Sequence, residues 1–317
     1  MSANSKPNEI AITRIYDAPV EAVWDAWTDP DQVALWWGPR GFTLTTHSKD
    51  LRPGGHWTYT MHGPDGTDYP NKTIYHEVEE HVKLVCDHGG NDDRPPLFRV
   101  TVLFSEIEGR TKMDMTMALE TQEAAEQTRE FIKKANGYST WDRLAEYLAK
   151  ESSGKEQFVI NRSFDAPLEL MFEMWTNPEH IAQWLAPTGF TMEFLQSKSP
   201  AEGSTFYFMT NGNGVDFYGK KRILEMRKPD RVVYTQQFCD KDENISRHPL
   251  APTWPETMLT AVELSAEGQN RARVTVTWEV YGAATKEELE TFILSRAGMN
   301  QGWTGSFNKL DDYLANR

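Results

Sequence analysis

The sequence DAPVEAVWDAWTDPDQVALWWGPRGFT at residues 17–43 returns as DAPLELMFEMWTNPEHIAQWLAPTGFT at residues 165–191. The two stretches are identical at 13 of 27 positions without a gap, at a constant offset of 148 residues. The same offset continues through later identities, among them Tyr59/Tyr207, Glu77/Glu225 and Val85/Val233. A period this long indicates two tandem domains, because solenoid repeats are only about 20–50 residues long. Positions shared by both copies are therefore expected to serve the fold, and positions that differ are the better guide to function.

The length and composition fit two globular domains. The chain has 317 residues, of which 39% are apolar and 25% charged, and a domain typically takes roughly 100–200 residues. No stretch approaches the roughly 18–20 apolar residues of a membrane span, and the first residues lack the apolar core of a signal peptide. We therefore expect domain one at residues 1–150, a polar linker at 151–155, domain two at 156–317, and a cytoplasmic location.

Charge and cysteine content exclude several classes of partner. The net charge of −14 argues against nucleic acid and anionic membranes, which are themselves polyanions. Cys86 and Cys239 occupy unrelated positions in the two copies. They form neither a metal-ligand spacing nor a disulfide framework, which is typical of a reducing compartment. We expect no metal and no cofactor.

Each copy presents the same order of structural signals. An alternating strand comes first, then Asp-Ala-Pro and Asp/Asn-Pro signals that predict the starts of two short helices, with Asp17 and Asp165 as capping residues. Six further strands on short turns follow, and these predict an antiparallel sheet. In copy one they are expected at 42–49, 56–62, 67–79, 82–88, 97–106 and 111–119.

A long helix is expected to close each copy. Apolar residues at helical spacing predict it, namely Phe131, Ala135, Tyr138, Trp141, Leu144, Ala145 and Leu148 in copy one, and Phe292, Met299, Trp303, Phe307, Leu310 and Leu314 in copy two. This helix would pack across the apolar face of the sheet. Gly298, Gly302 and Gly305 within it predict either a bend over a cavity or close packing.

These features together resemble the helix-grip fold of the START-like (SRPBCC) superfamily. The residues resemble in particular the branch related to the heat-shock protein 90 ATPase activator, through Arg14–Pro19, Trp24 with Trp27, Asp29-Pro30, Leu35–Pro39, Pro53–Gly55 and Gly63–Thr67. Copy two keeps Arg162, Asp165–Pro167, Asn177-Pro178, Trp184 and Gly302-Trp303. The resemblance implies an α+β fold: two tandem domains, each with a curved antiparallel sheet of six to seven strands wrapped around a long C-terminal helix.

The resemblance leaves three functions open, because one fold hosts many activities. The first is non-enzymatic binding of a small hydrophobic or aromatic molecule between sheet and helix. The second is a co-chaperone-like module that binds a heat-shock protein 90 type ATPase. The third is a cyclase- or hydrolase-type enzyme that uses polar groups such as His56, His76 or His88.

Alternation along the strands suggests which side chains would line a cavity. Methionine and aromatic residues suit irregular apolar sites, and the less symmetric tryptophans are the better candidates. No nucleophile motif, phosphate loop or His-rich metal spacing is present, so no catalytic residue is assigned. The candidate ligand-binding residues are Trp57, Tyr59, His76, His88, Phe104, Met113, Met115, Tyr138, Trp141, Tyr207, Tyr234, Trp278, Met299 and Trp303. Ordinary core packing is the alternative for the methionines.

Overall fold

A computed structural model of the chain describes residues 6–134, 137–198 and 202–317. The chain divides into two compact units, and the boundary falls between Gly154 and Lys155. Each unit is described by itself below.

Domain one contains seven strands and four helices among the described residues. The strands are β1 (Glu9–Tyr16), β2 (Thr43–Lys49), β3 (His56–His62), β4 (Asp68–Glu79), β5 (Lys83–Gly90), β6 (Phe98–Ile107) and β7 (Arg110–Ala118). The helices are α1 (Val20–Thr28), α2 (Pro30–Trp36), α3 (Gln122–Lys134) and α4 (Ser139–Ser153). These bounds lie within a few residues of those predicted from the alternation pattern.

Domain two repeats this order. Its strands are β8 (Phe158–Phe164), β9 (Thr191–Leu195), β10 (Ser204–Thr210), β11 (Asp216–Arg227), β12 (Arg231–Cys239), β13 (Thr257–Gly268) and β14 (Arg271–Val280). Its helices are α5 (Leu168–Thr176), α6 (Pro178–Trp184), α7 (Lys286–Leu294) and α8 (Arg296–Ala315). The expected α+β fold of two tandem domains is confirmed.

Both domains form one curved antiparallel sheet with the same strand order. The order is β1-β7-β6-β5-β4-β3-β2 in domain one and β8-β14-β13-β12-β11-β10-β9 in domain two. Even a pairing irregularity is repeated, between Tyr75 and Glu77 in β4 and between Ile223 and Glu225 in β11. A bulge bends a strand and increases its twist, so both sheets bend at the same place.

In each domain the second short helix begins as the sequence predicts, and the first short helix does not. The side chains of Asp29 and Asn177 accept backbone N–H groups at the starts of α2 and α6, each with proline directly behind. Asp17 and Asp165, however, do not cap. Pro19 and Pro167 occupy the capping positions of α1 and α5, and no side-chain cap is present there.

The C-terminal helical region is split in both domains. Domain one has α3 and α4 where we expected one helix, and Phe131 on α3 is 70% exposed. The apolar stripe therefore begins only at Tyr138; Ala135 lies outside the described residues. Glu151–Ser153, expected in the linker, form the last turn of α4, which ends at Gly154 in the left-handed conformation that favours glycine.

One tryptophan of the C-terminal helix stacks on one of the first short helix in each domain. Trp141 stacks on Trp27 with ring centroids 5.7 Å apart, and Trp303 stacks on Trp175 at 5.9 Å. Trp141 and Trp303 are therefore equivalent, although 162 residues separate them. The offset grows from 148 because domain two has a longer connection between β12 and β13. These two tryptophans appear unrelated in the sequence only because the offset between the copies increases before them. Both belong to the shared scaffold.

The glycines of α8 differ in their surroundings. A Cβ on Gly305 would collide with the Thr188 side chain and lie 3.2 Å from the Thr188 backbone nitrogen. A Cβ on Gly302 or Gly298 would meet no atom within 4 Å. Close packing therefore explains Gly305 alone, and α8 leaves open space beside Gly302.

These surroundings predict opposite effects for two identical substitutions. Gly305→Ala should lower the free energy of unfolding by about 1–3 kcal/mol through overpacking. Gly302→Ala should raise it by about 0.5–1 kcal/mol, because alanine is the better helix former. Chemical denaturation of both variants measures the difference; equal effects would contradict the packing described for Gly305.

Candidate functional site

The inner face of each sheet carries one transverse row of residues in which the two domains differ most. In domain one the row is Trp57, Thr73, His88 and Phe98, and in domain two it is Thr205, Lys221, Gln236 and Met258. Each row crosses four neighbouring strands, so its side chains lie side by side. Polar groups thus sit in the middle of an otherwise apolar face.

In domain one aromatic rings enclose the imidazole of His88. The centroids of Phe98, Trp37 and Tyr59 lie 5.4, 5.8 and 6.5 Å from that of His88. Thr73 Oγ1 lies 3.1 Å from His88 Nδ1, within hydrogen-bond distance. Among the residues that the structure describes, no hydrogen-bond partner is found for His88 Nε2. His88 Nε2, which can form a hydrogen bond, therefore lies among aromatic rings.

Burial keeps His88 neutral. Desolvation lowers the pKa of His88 to about 4, because a low-dielectric surrounding disfavours the charged imidazolium. With the Thr73 hydroxyl on Nδ1, the neutral ring presents Nε2 as a hydrogen-bond donor or acceptor, depending on the tautomer. The arrangement can orient a polar group of an uncharged molecule, and it supplies no charge.

Trp57 and Tyr59 form the wall beside His88. Their rings stack with centroids 4.0 Å apart, and they are 4% and 1% exposed. Lys49 lies with Nζ 4.4 Å from the centre of the Trp57 ring and donates to the backbone oxygen of Trp27 at 2.9 Å. Desolvation lowers the pKa of Lys49 to about 7. Lys49 therefore has a backbone oxygen and an aromatic ring as partners, and burial disfavours its charged form.

The other candidates of domain one are core or surface residues. Phe104, Met113 and Met115 are buried in the main apolar cluster, which also contains Trp57 and Tyr59. Tyr138 packs on the edge of that cluster, and Trp141 inside it. His76 faces outward, where Nε2 lies 2.7 Å from the Asp87 carboxylate, so it cannot line the interior.

The histidines do not form a catalytic group. His56 is exposed, like His76, and His88 alone of these three is on the inner face. The enzyme hypothesis named His56, His76 or His88 as a pocket polar group, and of these three only His88 lies on the inner face. No cluster of metal-ligating side chains occurs within residues 6–134, 137–198 and 202–317.

In domain two all five candidates lie on the interior side. Tyr234, Met299 and Trp303 are buried in the apolar cluster, and Trp278 packs against it, with its ring 5.7 Å from that of Trp303. Tyr207 lies over Gly219, where any Cβ would collide with the Tyr207 ring. Glycine at 219 therefore makes room for this tyrosine.

The candidate list omits Trp37 and six residues of the transverse rows, which are Thr73, Phe98, Thr205, Lys221, Gln236 and Met258. A signal for Lys221 was present, because period-2 alternation places it on the same face as Gly219 and Ile223 in β11. Trp37 follows the last residue of α2, so no periodicity applies to it. Its ring lies 5.8 Å from Trp57 and 6.1 Å from Trp141, which makes it the centre of the aromatic enclosure.

Comparison with known families gives a match in both halves. The model for activator of Hsp90 ATPase homolog 1-like proteins matches residues 17–149 and again residues 165–315. The chain belongs to this family. This match to the activator of Hsp90 ATPase homolog 1-like family, once in each half, confirms the resemblance that the Asp-Ala-Pro and Trp36/Trp184 positions carry. A search of functionally curated proteins finds no significant match.

Solved structures align with one or both domains of this family member. A Nitrosomonas europaea protein is 21% identical over 47% of this chain and 99% of its own, with a TM-score of 0.43. A Mycobacterium smegmatis protein is 27% identical over 47% and 94%, with a TM-score of 0.42. The di-domain ARO/CYC protein BexL, from the BE-7585A biosynthetic pathway, is 12% identical over 96% and 97%, with a TM-score of 0.39. Within the described residues, no helix is both long and apolar enough to cross a membrane.

The desolvated imidazole of His88 predicts acid sensitivity for domain one. The pKa of His88 is about 4 in the folded chain, against about 6.5 for an unperturbed histidine, so the unfolded chain binds more protons between these pH values. Stability should be fully present above about pH 6.5 and should fall as the pH drops toward 4, by at most about 3 kcal/mol. Denaturation midpoints measured from pH 7 to 4 test this.

Two variants separate His88 from other acid effects. His88→Gln should remove most of the pH dependence below 6.5, whereas His76→Gln, at the exposed histidine, should leave it in place. An unchanged profile in His88→Gln would show that the imidazole is not held neutral by burial.

Proposed function

We propose that domain one binds a small, uncharged aromatic molecule between its sheet and α4, without chemical conversion. The observation that carries this proposal is the enclosure of His88 by Trp37, Tyr59 and Phe98, with Nε2 free of a protein partner among the described residues. Sites for small ligands combine a mostly apolar lining with a few polar groups that fix orientation.

The charges around the enclosure favour an uncharged ligand. Lys49 Nζ is engaged by the Trp27 backbone oxygen, and His88 stays neutral because its pKa is lowered by burial. Burial likewise raises the pKa of Tyr59, which remains a neutral phenol. An unpaired charge on the ligand would have no counter-charge there and would carry a large desolvation cost.

The properties of His88 and its neighbour favour binding over catalysis. General acid–base chemistry needs groups within hydrogen-bond reach of the reacting atoms and with a pKa near the working pH. His88 has a pKa of about 4, and its polar neighbour is the hydroxyl of Thr73. This pair suits orientation of a ligand better than proton transfer at neutral pH.

A matched pair of probes tests the role of His88. 2-Naphthol, which has one hydroxyl, should bind the intact chain, and naphthalene, which can neither donate nor accept a hydrogen bond, should bind more weakly. His88→Phe should weaken 2-naphthol binding about tenfold, the effect of one hydrogen bond worth about 1.4 kcal/mol. It should not weaken naphthalene binding. Equilibrium dialysis or calorimetry gives the dissociation constants.

The exposed aromatic Phe131, in the same domain, provides the control. Phe131→Ala should change neither dissociation constant. If neither probe binds the unaltered chain, and native mass spectrometry of the purified protein finds no bound molecule, the proposal of a ligand site in domain one is wrong.

The family match supports a second function, stimulation of an Hsp90-type ATPase. The chain's net charge of −14 could steer it toward a basic surface of such a partner. Adding the chain at micromolar concentration to the chaperone of the same cell should then raise the rate of ATP hydrolysis, and His88→Phe should not alter that increase. No increase at these concentrations would end this second proposal and leave ligand binding unaffected.

A further inference from the structure

Domain two holds a buried cation without a counter-charge. Lys221 is only 9% exposed and lies on the inner face of β11 with Nζ 3.7 Å from the centre of the Tyr234 ring. Within the described parts of the chain, which contain every Asp and Glu of the sequence, no carboxylate lies within 4.0 Å of this ammonium. Its neighbour Lys220, by contrast, pairs with Glu243 at 3.0 Å.

Among the described residues, the side chains that surround Lys221 on the inner face are neutral. Desolvation alone lowers the pKa of Lys221 to about 8. The residues beside it on the neighbouring strands are Thr205 and Gln236, and burial raises the pKa of both Tyr207 and Tyr234, which stay neutral. The helices that face this part of the sheet present Trp175, Met299 and Trp303.

Further polar atoms in the same interior lack partners. Thr205 Oγ1 and Trp278 Nε1 are fully buried without a hydrogen bond among the described residues. Buried polar groups are almost always hydrogen-bonded, and an unpaired buried charge is one of the most costly features a fold can carry. A bound molecule with hydrogen-bonding atoms would supply the partners that these groups lack among the described residues.

The two domains carry different residues at equivalent positions of the transverse row. Lys221 stands where domain one has Thr73, Thr205 where it has Trp57, and Gln236 where it has His88. Thr205 is smaller than the Trp57 at the equivalent position, and the Thr73–His88 hydrogen bond has no counterpart between Lys221 and Gln236 among the described residues. Where domain one has a neutral, hydrogen-bonded Thr73–His88 pair, domain two has a cation with no carboxylate partner among the described residues.

We propose that the interior of domain two binds an apolar acid, with its carboxylate on Lys221 Nζ and its apolar body between Tyr234, Trp278 and Trp303. This extends to domain two the ligand-binding role proposed for domain one and rests on it. A carboxylate at this point supplies the missing counter-charge, and charge-assisted hydrogen bonds of this kind are the stronger class. The rings supply the apolar lining, and open space beside Gly302 leaves that side of α8 unpacked.

Two probes of the same size test the charge requirement. 2-Naphthoate carries a carboxylate, and 2-naphthamide replaces it with a neutral amide. The intact chain should bind 2-naphthoate at least about tenfold more tightly. Lys221→Met should abolish this preference while keeping 2-naphthamide binding, and Lys221→Arg should retain it. Arg222→Met, which removes the exposed neighbouring charge, is the matched control and should behave like the unaltered chain.

The pH dependence of the unaltered chain is an independent readout if Lys221→Met does not fold. Affinity for 2-naphthoate should fall as the pH rises through the range in which Lys221 loses its proton, by up to tenfold per pH unit, and 2-naphthamide affinity should stay constant. Equal binding of the two probes, or a preference that survives in Lys221→Met, would overturn the proposal for domain two while 2-naphthol binding to domain one stands. Binding of none of the three probes would overturn both proposals.

Discussion

A stacked tryptophan pair joins the C-terminal helix of each domain to its first short helix. A seven-stranded curved sheet leaves a broad apolar face, and one helix must cover it. Trp141 on Trp27 and Trp303 on Trp175 fix where that helix lies. Trp36 and Trp184 hold the second short helix against the first. Each donates its indole N–H to a backbone oxygen of the preceding helix, at 2.9 and 3.0 Å. With the helix fixed, the transverse row on the sheet becomes the part of the interior free to vary.

The consequence of this arrangement is that function can diverge without disturbing the fold. The strand orders and one bulge are the same in both domains. The row beneath the helix carries Thr73 and His88 in one domain and Lys221 and Gln236 in the other. A neutral imidazole in an aromatic enclosure and a solitary ammonium select different ligands, because the cost of desolvating a charge depends on whether a counter-charge awaits it. A single family membership therefore covers two different interiors.

The fold could be predicted from the sequence because its signals are local and repeated. Alternation predicted the six strands after the short helices, and the Asp29 and Asn177 caps appear where the sequence predicts them. The split of the C-terminal region was not predictable, because the apolar spacing from Phe131 to Tyr138 fits one helix. Only the exposure of Phe131 shows that α3 does not continue the buried stripe of α4. Trp141 and Trp303 were misjudged for a related reason: their equivalence depends on three-dimensional position, and the longer β12–β13 connection hides it in the sequence.

The interior was only partly predictable. Trp57, Tyr59 and His88 follow from alternation, but His76 does not lie inside, since a bulge in β4 changes which residues face inward between Tyr75 and Glu77. Trp37 is in a loop, where no period applies. Lys221 was visible in the alternation of β11, yet a lysine is expected at the surface. Its significance depends on the absence of a counter-charge among the described residues, which only the structure shows.

Both domains share one scaffold, and the two proposals place different ligand sites beneath the C-terminal helix. A crystal structure of the full chain grown with 2-naphthol and 2-naphthoate tests this difference. We expect density for an uncharged ring within hydrogen-bond distance of His88 Nε2 in domain one. In domain two we expect a carboxylate at about 2.7–2.9 Å from Lys221 Nζ. Interiors filled by protein side chains alone, or both probes bound alike in the two domains, would show that the two sites do not differ in this way.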